Sequence, residues 1–356
     1  MTPSKIVTAL SKPLSKKGAR SNALNSALTG ALAAALLATP VMAEATTLRI
    51  AHVWPGGSLI DRELFQAWAE SVEEASEGRL QVQIFPGATL TGADNAYQGV
   101  VNGIADIGAT AQGYNAGRFP LTQVVELPGV SASSRQGSCI LQSLYEQGHF
   151  DEEYSDTRPL FMFTTGPGYL HTKERLIETP ADLEGLRLRR PTPVVGDMFT
   201  RLGAQAVGMP APEVFTSMQR GVVDGLSFNW EGMKTFRLNE LASYHTEVPL
   251  YDLSLFATMN QRTYDSLPEE LQQVIDDHSG LEWSLRAAEV YDELIRQGRQ
   301  DAEEAGHEFL VIEDALEHAD WGPVLNETIE RYLDEVGEEG REIYEAALAL
   351  QDECRV

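Results

Sequence analysis

Segments with the alternating pattern of β-strands are interspersed with amphipathic helices in two separate stretches of the chain. The first stretch begins with a strand at Thr47–Trp54 and continues through a helix to a second strand at Leu80–Phe85. The second stretch begins at Leu186–Arg190 and reaches a strand at Val223–Phe228. Strands that alternate with helices form parallel sheets, which bind ligands at the carboxyl ends of their strands. The two stretches therefore predict an α/β fold with two similar halves and a cleft between them.

A short internal echo supports two related halves. The segment Asn102–Gly108 (NGIADIG) resembles Arg220–Gly225 (RGVVDG), and in each an aspartate opens the predicted strand. Each segment also has a glycine at the end of a predicted helix, where glycine is the preferred cap. We expect a helix, a glycine cap and a strand at the same place in both halves.

A long helical pattern follows the second half. Apolar residues recur at helical spacing from Pro268 to Gly306, and Gly280 is a candidate kink. A helix of this length exceeds those of an ordinary domain, so we expect it to cross from one half to the other. Two more helices are predicted at about 312–336 and 341–352.

The first 43 residues have the pattern of a secretory signal peptide. They contain five basic residues and no acidic residue, and an apolar run at Ala27–Ala38 precedes a small-x-small end at Val41 and Ala43. The alternative is a membrane anchor, but the apolar run is short for a transmembrane helix. We expect cleavage after Ala43 and export of the mature protein to the periplasm.

Charge and missing motifs narrow the range of functions. The chain has 53 acidic and 27 basic residues and a formal charge of −26. This balance argues against nucleic acid as a partner, because phosphate binding needs clustered Lys and Arg. The sequence contains no phosphate-binding loop, no HExxH and no GxSxG, and its seven histidines form no i, i+4 pair. We therefore predict no catalytic residues, no metal and no cofactor.

The two cysteines leave two alternatives open. Cys139 and Cys354 could pair in an oxidising compartment, but their positions in the sequence do not show that they meet. Two unpaired thiols are the favoured alternative.

One strand carries three arginines in this otherwise acidic chain. On a strand, Arg187 and Arg189 face one way and Arg190 faces the other. An arginine at the cleft end of a strand offers a planar fork that matches a carboxylate, although most surface arginines only pair with nearby acids. Aromatic residues and one asparagine lie at the ends of the predicted strands: Trp54, Tyr114, Tyr169, Phe228, Trp230 and Asn229. Such a set suits an organic acid with an apolar body.

The arginine-bearing segment resembles a family signature. Asp182–Arg189 (DLEGLRLR) is similar to the D-L-K-G-L-K-I-R sequence of TRAP transporter solute-binding proteins, the DctP-like family. The resemblance continues through Leu202-Gly203-Ala204 and the V-D-G at Val223–Gly225, and upstream through Gly117–Leu121. It covers the chain from about Leu48 to Ser279.

The resemblance implies a fold and a partner. Members of this family are two-lobed, Venus-flytrap-like periplasmic binding proteins in which each lobe is a sheet flanked by helices and a long helix links the lobes. It implies residues 44–166 plus 255–295 for lobe I, and 167–254 plus 296–356 for lobe II. It also implies that the protein, as a monomer, delivers organic acids to the membrane subunits of an ion-driven TRAP transporter.

The resemblance also assigns roles to single residues. Arg189 falls on the family arginine that pairs with the substrate carboxylate, whereas Arg187 falls where the family usually has Lys. Tyr169 stands where sialic-acid-type members have a second arginine, which argues against sialic acid as ligand. In the stretch after V-D-G, Trp230 is expected to form an aromatic wall, with Phe228 beside it and Asn229 as a polar contact. In lobe I the ligand-facing stretch is Gln112-Gly113-Tyr114.

The sequence thus predicts an exported binding protein without catalysis. Its ligand is a small organic carboxylate, and a compact monocarboxylate such as a 2-oxo, 2-hydroxy or aromatic acid fits better than a dicarboxylate. A second carboxylate would be desolvated against aromatic surface without an evident partner. The alternatives are a ligand-binding sensor for a membrane receptor and a secreted α/β hydrolase-type enzyme, for which no nucleophile–base spacing is present.

Overall fold

The computed structural model describes residues 45–115 and 117–355. The predicted signal peptide, with its cleavage after Ala43, lies outside the described residues. Within the described part, no helix is both long and apolar enough to span a bilayer.

Nine strands of the described residues form one mixed sheet flanked by helices, which confirms the α/β class. The spatial order is β2-β1-β3-β8-β4-β7-β5-β6, with β9 paired to β8. The strands are β1 (Thr46–His52), β2 (Leu80–Phe85), β3 (Ile107–Ala111), β4 (Thr157–Thr172), β5 (Arg187–Arg190), β6 (Gln205–Gly208), β7 (Gly225–Phe228), β8 (Tyr244–Asn260) and β9 (Glu308–Val311).

The parallel strands fall into the two predicted blocks. In lobe I, β1 pairs in parallel with β2 and β3, and in lobe II, β5 pairs in parallel with β6 and β7. The expectation of purely parallel sheets is wrong, because β4 and β8, of 16 and 17 residues, run antiparallel between the blocks. The register of their pairing shifts between Thr164 and Pro167, where Gly166 has a φ of +72°. Both strands pass from one lobe to the other at this irregularity.

The internal echo corresponds to the same hydrogen bonds in both lobes. In lobe I, the backbone N–H and the Nε of Arg49 both donate to one oxygen of Asp106 at 2.9 Å. In lobe II, Arg187 makes the same two bonds to Asp224 at 3.0 Å. Each arginine also donates to the carbonyl of the glycine three residues before that aspartate, Gly103 in lobe I and Gly221 in lobe II. Arg187 therefore stabilises the start of β7, in agreement with its exclusion from the site.

Ten helices in the described residues cover the sheet. A π-helical turn at Asp61–Gln66 precedes the first of them. They are α1 (Ala67–Ala75), α2 (Ala96–Val101), α3 (Ser134–Glu146), α4 (Pro193–Arg201), α5 (Ala211–Gln219), α6 (Trp230–Thr235), α7 (Gln261–Ser266), α8 (Glu269–Asp277), α9 (Leu281–Glu304) and α10 (Trp321–Leu350).

The predicted long helix is two helices that meet at Gly280. Gly280 adopts a φ of +78°, so α8 ends before it and α9 begins after it. Helix α9 contacts both lobes: Ser284 Oγ donates to Gln142 Oε1 of α3 at 3.0 Å. At its other end, Gly298 lies so close to α6 that a Cβ atom there would be 2.1 Å from the Trp230 carbonyl oxygen. The predicted link between the lobes is confirmed for α9.

The C-terminal helix does not follow the predicted boundaries. Residues 312–320 precede it without helix, and Gly337, with a φ of +77°, interrupts it. The structure places α10 against α4 and against the segment that contains Pro120. Arg201 of α4 donates to Thr328 Oγ1 at 2.8 Å, and Tyr332 donates to the Pro120 carbonyl at 2.8 Å.

A disulfide ties the C-terminus to lobe I. It joins Cys139 on α3 to Cys354, which are 215 residues apart in sequence. The expectation of two unpaired thiols is therefore wrong. Helix α10 returns the chain to α3, where Gln136 Nε2 also donates to the Gln351 carbonyl at 2.8 Å.

Candidate ligand-binding site

The centre of the site is a buried arginine on β5. Leu188 packs into the main core, so its neighbour Arg189 faces the opposite side of the short strand and is only 1% exposed. Arg189 Nε donates to the Met209 carbonyl at 3.1 Å, and its NH1 donates to the Ser227 carbonyl at 3.0 Å. Its guanidinium carbon lies 4.6 Å from the centre of the Phe228 ring, a cation–π geometry. These contacts hold the planar fork in one orientation.

Every hydrogen-bond partner that the described residues give Arg189 is uncharged. The remaining nitrogen, NH2, donates to the Tyr114 hydroxyl at 3.1 Å. The neighbouring Arg190 adds positive charge, and burial together with Arg189 lowers the pKa of Arg190. A cation removed from water without an anionic partner costs several kcal/mol. The site therefore favours the entry of an anion.

Tyr114 bridges the two lobes. It ends a short 3-10 segment, Gln112–Tyr114, that follows β3 of lobe I. Its hydroxyl accepts from Arg189 and also from the backbone N–H of Ala211 at 3.1 Å. Ala211 opens α5, where the first N–H groups of a helix have no partner inside the helix. One hydroxyl of lobe I thus accepts hydrogen bonds from two donors of lobe II.

Tyr251 of β8 is buried close to Arg189 and Tyr114. It is 4% exposed, and a Cβ atom on Gly168 would lie 2.3 Å from its ring, so only glycine fits there. Burial raises the pKa of Tyr251 above its usual range, while the nearby positive charge of Arg189 and the side chain of Ser227 lower it. The phenol is therefore a neutral neighbour of the guanidinium.

Burial raises the pKa of three carboxyl groups, those of Glu126, Asp252 and Glu231. Burial raises the pKa of Glu126 to about 8, against the opposing effect of its hydrogen bonds with Ser254. Burial raises the pKa of Asp252 and of Glu231 to about 7. At neutral pH, Glu126 is therefore mainly protonated and does not cancel the charge of Arg189.

Asn229 is held by the protein itself. Its Oδ1 accepts from the Gly232 N–H at 3.2 Å and so caps α6, and its Nδ2 donates to the Thr165 carbonyl at 2.7 Å. Both ends of the amide have protein partners, and Asn229 fixes the end of β7 against β4. A contact between Asn229 and the ligand stays a prediction.

Trp230 packs in the hydrophobic cluster that also contains Phe228. Its indole N–H donates to Glu247 Oε1 at 2.7 Å, and its ring lies 4.7 Å from that of His245 and 5.7 Å from that of Phe309. The structure does not bring Trp230 to the guanidinium, so the expected aromatic wall is assigned to Phe228 instead.

For two other predicted site residues, Trp54 and Tyr169, the structure shows contacts with residues other than Arg189 and Tyr114. Trp54 is 2% exposed and packs on Phe65 at 5.3 Å between ring centres. Tyr169 pairs with Phe228 across the sheet but lines a separate cavity of about 610 Å³.

Gln112 is fully buried next to the bridge. Neither polar atom of its side chain has a partner in hydrogen-bonding geometry within the described residues, and the same holds for the neighbouring Tyr154 hydroxyl. The two side chains lie near each other, and a ligand contact of Gln112 stays a prediction.

The sequence did not reveal several site residues. Glu126 lies inside the apolar run Val124-Val125-Glu126-Leu127, and a lone acid in such a run was the available signal. Thr192, Ser227 and Tyr251 carried no recognisable pattern. Among the described residues, no group of three or more His, Cys, Asp or Glu is arranged to hold a metal ion.

Comparisons with known proteins agree with this architecture. The model of the bacterial extracellular solute-binding protein family 7 (DctP) matches residues 50–335. A curated solute-binding protein of Roseobacter denitrificans is 26% identical over 263 residues, which are 70% of this chain and 76% of that protein.

Two solved structures are similar over nearly their whole length. A TRAP solute-binding protein from Rhodoferax ferrireducens T118, in complex with copurified benzoate, is 31% identical with a TM-score of 0.81. The match covers 87% of this chain and 98% of that one. A marine metagenome TRAP solute-binding protein, specific for aromatic acids and crystallised with 3-hydroxybenzoate, is 29% identical with a TM-score of 0.81 and coverages of 88% and 99%.

Proposed function

The chain belongs to the family 7 bacterial extracellular solute-binding proteins, and within them to those of TRAP transporters, and we propose that its ligand is a small aromatic monocarboxylate. As a member of this family it captures an organic acid outside the cytoplasm for a TRAP transporter. The single observation that carries the choice of ligand is Arg189, a buried cation whose partners in the described residues are all uncharged.

The charge of the site supports one carboxylate. A guanidinium fork binds a carboxylate through two parallel hydrogen bonds, and Arg189 presents such a fork beneath Phe228. Glu126 adds little negative charge at neutral pH, because burial raises its pKa to about 8. One anionic group would therefore balance Arg189, whereas a second carboxylate would lack a second fork on this face of β5, because Arg190 faces the other side.

The walls of the site support an aromatic body. Phe228 and Tyr251 are both buried beside Arg189, and Tyr114 closes the third side. Rings of this kind pack on a flat ligand and give about 0.5–1.5 kcal/mol beyond the area that they bury. Benzoate and 3-hydroxybenzoate, the ligands of the two similar structures, have this shape.

The proposal extends to the way the protein works. The mature chain begins at Glu44 after removal of the leader and acts as a monomer. It closes its lobes on the acid, presents the closed form to the membrane subunits of the transporter and releases the ligand chemically unchanged.

A calorimetric ligand panel tests the proposal. The chain from Glu44 would be titrated with benzoate, mandelate, pyruvate, succinate and malate. We expect benzoate or another aromatic monocarboxylate to bind best and to raise the melting temperature, because a ligand that binds only the folded state stabilises it. Succinate or malate binding at least tenfold more tightly than every monocarboxylate would overturn the proposal.

A further inference from the structure

Two buried polar atoms beside the Tyr114–Arg189 bridge lack partners. They are Glu126 Oε2 and Thr192 Oγ1, and neither has a hydrogen-bond partner within the part of the chain that the structure describes. Glu126 is 1% exposed and Thr192 is fully buried. A buried polar group without a partner carries a desolvation cost, so both atoms are suited to contact a bound molecule. We call this pair the neutral patch.

The neutral patch lies beside the segment that carries Tyr114. Glu126 ends the 3-10 segment Thr122–Glu126 of lobe I, whereas Thr192 lies two residues after β5 and directly precedes α4 of lobe II. Gly113, next to Tyr114, packs against Thr192 so closely that a Cβ atom would lie 2.4 Å from its methyl carbon. The patch therefore spans both lobes and lies next to the bridge.

The hydrogen bonds of Glu126 decide where its proton lies. Oε1 accepts from the Ser254 hydroxyl at 2.6 Å and from the Ser254 N–H at 3.2 Å, so this oxygen behaves as a carbonyl. The proton of the neutral acid then belongs on Oε2, the atom without a partner. Thr192 is close enough to influence the pKa of Glu126 but is outside hydrogen-bonding geometry.

The titratable groups around Glu126 do not favour its ionised form. Asp252 of β8 raises the pKa of Glu126 further, and burial is the largest cause of the shift. Tyr251 of β8 and Tyr332 of α10 also lie within its electrostatic range. Both are phenols whose pKa is raised by burial, so they stay neutral at physiological pH.

We propose that the ligand carries a hydroxyl group in addition to its carboxylate, and that Glu126 and Thr192 bind this hydroxyl while Arg189 binds the carboxylate. This inference rests on the proposed function and narrows its substrate class to hydroxy-substituted aromatic monocarboxylates. A hydroxyl can accept the proton of Glu126 Oε2 and donate to Thr192 Oγ1 at the same time. A plain hydrocarbon ring would leave both atoms unpaired.

Calorimetry with positional isomers tests the inference. The mature chain would be titrated with benzoate and with 2-, 3- and 4-hydroxybenzoate, and the readout is the affinity of the best isomer relative to benzoate. We expect at least one isomer to bind about tenfold more tightly, the usual size of a well-placed buried hydrogen bond with its relieved desolvation.

Variants test whether the gain in affinity over benzoate comes from the neutral patch. Thr192→Val and Glu126→Leu should bring the affinity ratio towards one, whereas Glu126→Gln, whose amide can place N–H at Oε2 and C=O at Oε1, should keep it. Thr200→Val is the matched control, since Thr200 donates to the Gly196 carbonyl at the far end of α4. The control should leave the ratio unchanged.

The experiment distinguishes failure of the inference from failure of the proposed function. If benzoate binds and no isomer exceeds it, or if Thr192→Val and Glu126→Leu both keep the ratio, the inference is overturned and the proposed function stands. If no aromatic acid binds the folded wild-type chain, the proposed function fails and the inference fails with it.

Discussion

Replacing Tyr114 with phenylalanine tests how the lobes are held closed. The change removes one hydroxyl and keeps the ring. In the structure that hydroxyl accepts from the Arg189 guanidinium and from the Ala211 N–H, both at 3.1 Å. When the lobes open, water can reach both donors, so the loss falls on the closed state.

The magnitude follows from the two bonds. A hydrogen bond to a charged group contributes about 1.5–3 kcal/mol and a neutral one about 0.5–1.5 kcal/mol. Allowing for partial relaxation, Tyr114→Phe should destabilise the closed state by about 2 kcal/mol. If ligand is held only in the closed state, this corresponds to a Kd about 30-fold higher.

The assay is calorimetry for Kd together with stopped-flow fluorescence for the dissociation rate, with benzoate as probe. Most of the effect should appear in the dissociation rate, as is usual for interface substitutions. Tyr344→Phe, on α10, is the matched control and should bind as the wild type does. A Tyr114→Phe variant whose Kd and dissociation rate both stay within threefold of wild type would show that the bridge does not hold the lobes closed.

Three further predictions concern stability and motion. Burial raises the pKa of Glu126 to about 8, above its unfolded value, so its stabilising contribution is complete below pH 4.5 and is lost as pH rises towards 8. The free energy of unfolding, measured in urea, should fall by about 1 kcal/mol between pH 7 and 8, and an equal fall in Glu126→Gln would refute the assignment. Replacing Cys139 and Cys354 together by serine should lower the free energy of unfolding by about 5 kcal/mol, because their bond joins residues 215 apart in sequence, and an unchanged melting temperature would contradict this. Small-angle scattering should give a smaller radius of gyration with saturating ligand, since a ligand that touches both lobes favours closure, whereas an unchanged curve would indicate a rigid cleft.

The sequence predicted the parallel blocks because their short strands alternate with amphipathic helices. It did not predict β4 and β8, since glycine and proline interrupt β4 at Gly166-Pro167-Gly168 and such residues usually end a strand. In the structure they mark the irregular crossing between the lobes. The disulfide could not be predicted either, because only the return of α10 to α3 brings Cys139 and Cys354 together.

The sequence singled out Arg189 and part of its surroundings, and the role of Arg189 as an anion clamp stays a prediction. Arg189 was identified through its strand position and the resemblance around it, and Tyr114 and Phe228 do contact it. Trp230 was expected beside them, but the side chain that starts a helix can turn to either face, and here it turns to His245. Glu126 was missed because a carboxyl held neutral by burial has no sequence signature.

The central claim, that Arg189 binds the ligand carboxylate through its planar fork, is tested most directly by one pair of substitutions. Arg189→Lys keeps the charge and loses the fork, whereas Arg187→Lys makes the same change two residues away, at an arginine that pairs with Asp224. In calorimetry with benzoate we expect Arg189→Lys to weaken binding by at least about 30-fold, the lower end for a buried charged hydrogen bond, with Arg187→Lys close to wild type. Wild-type affinity in Arg189→Lys would contradict the account.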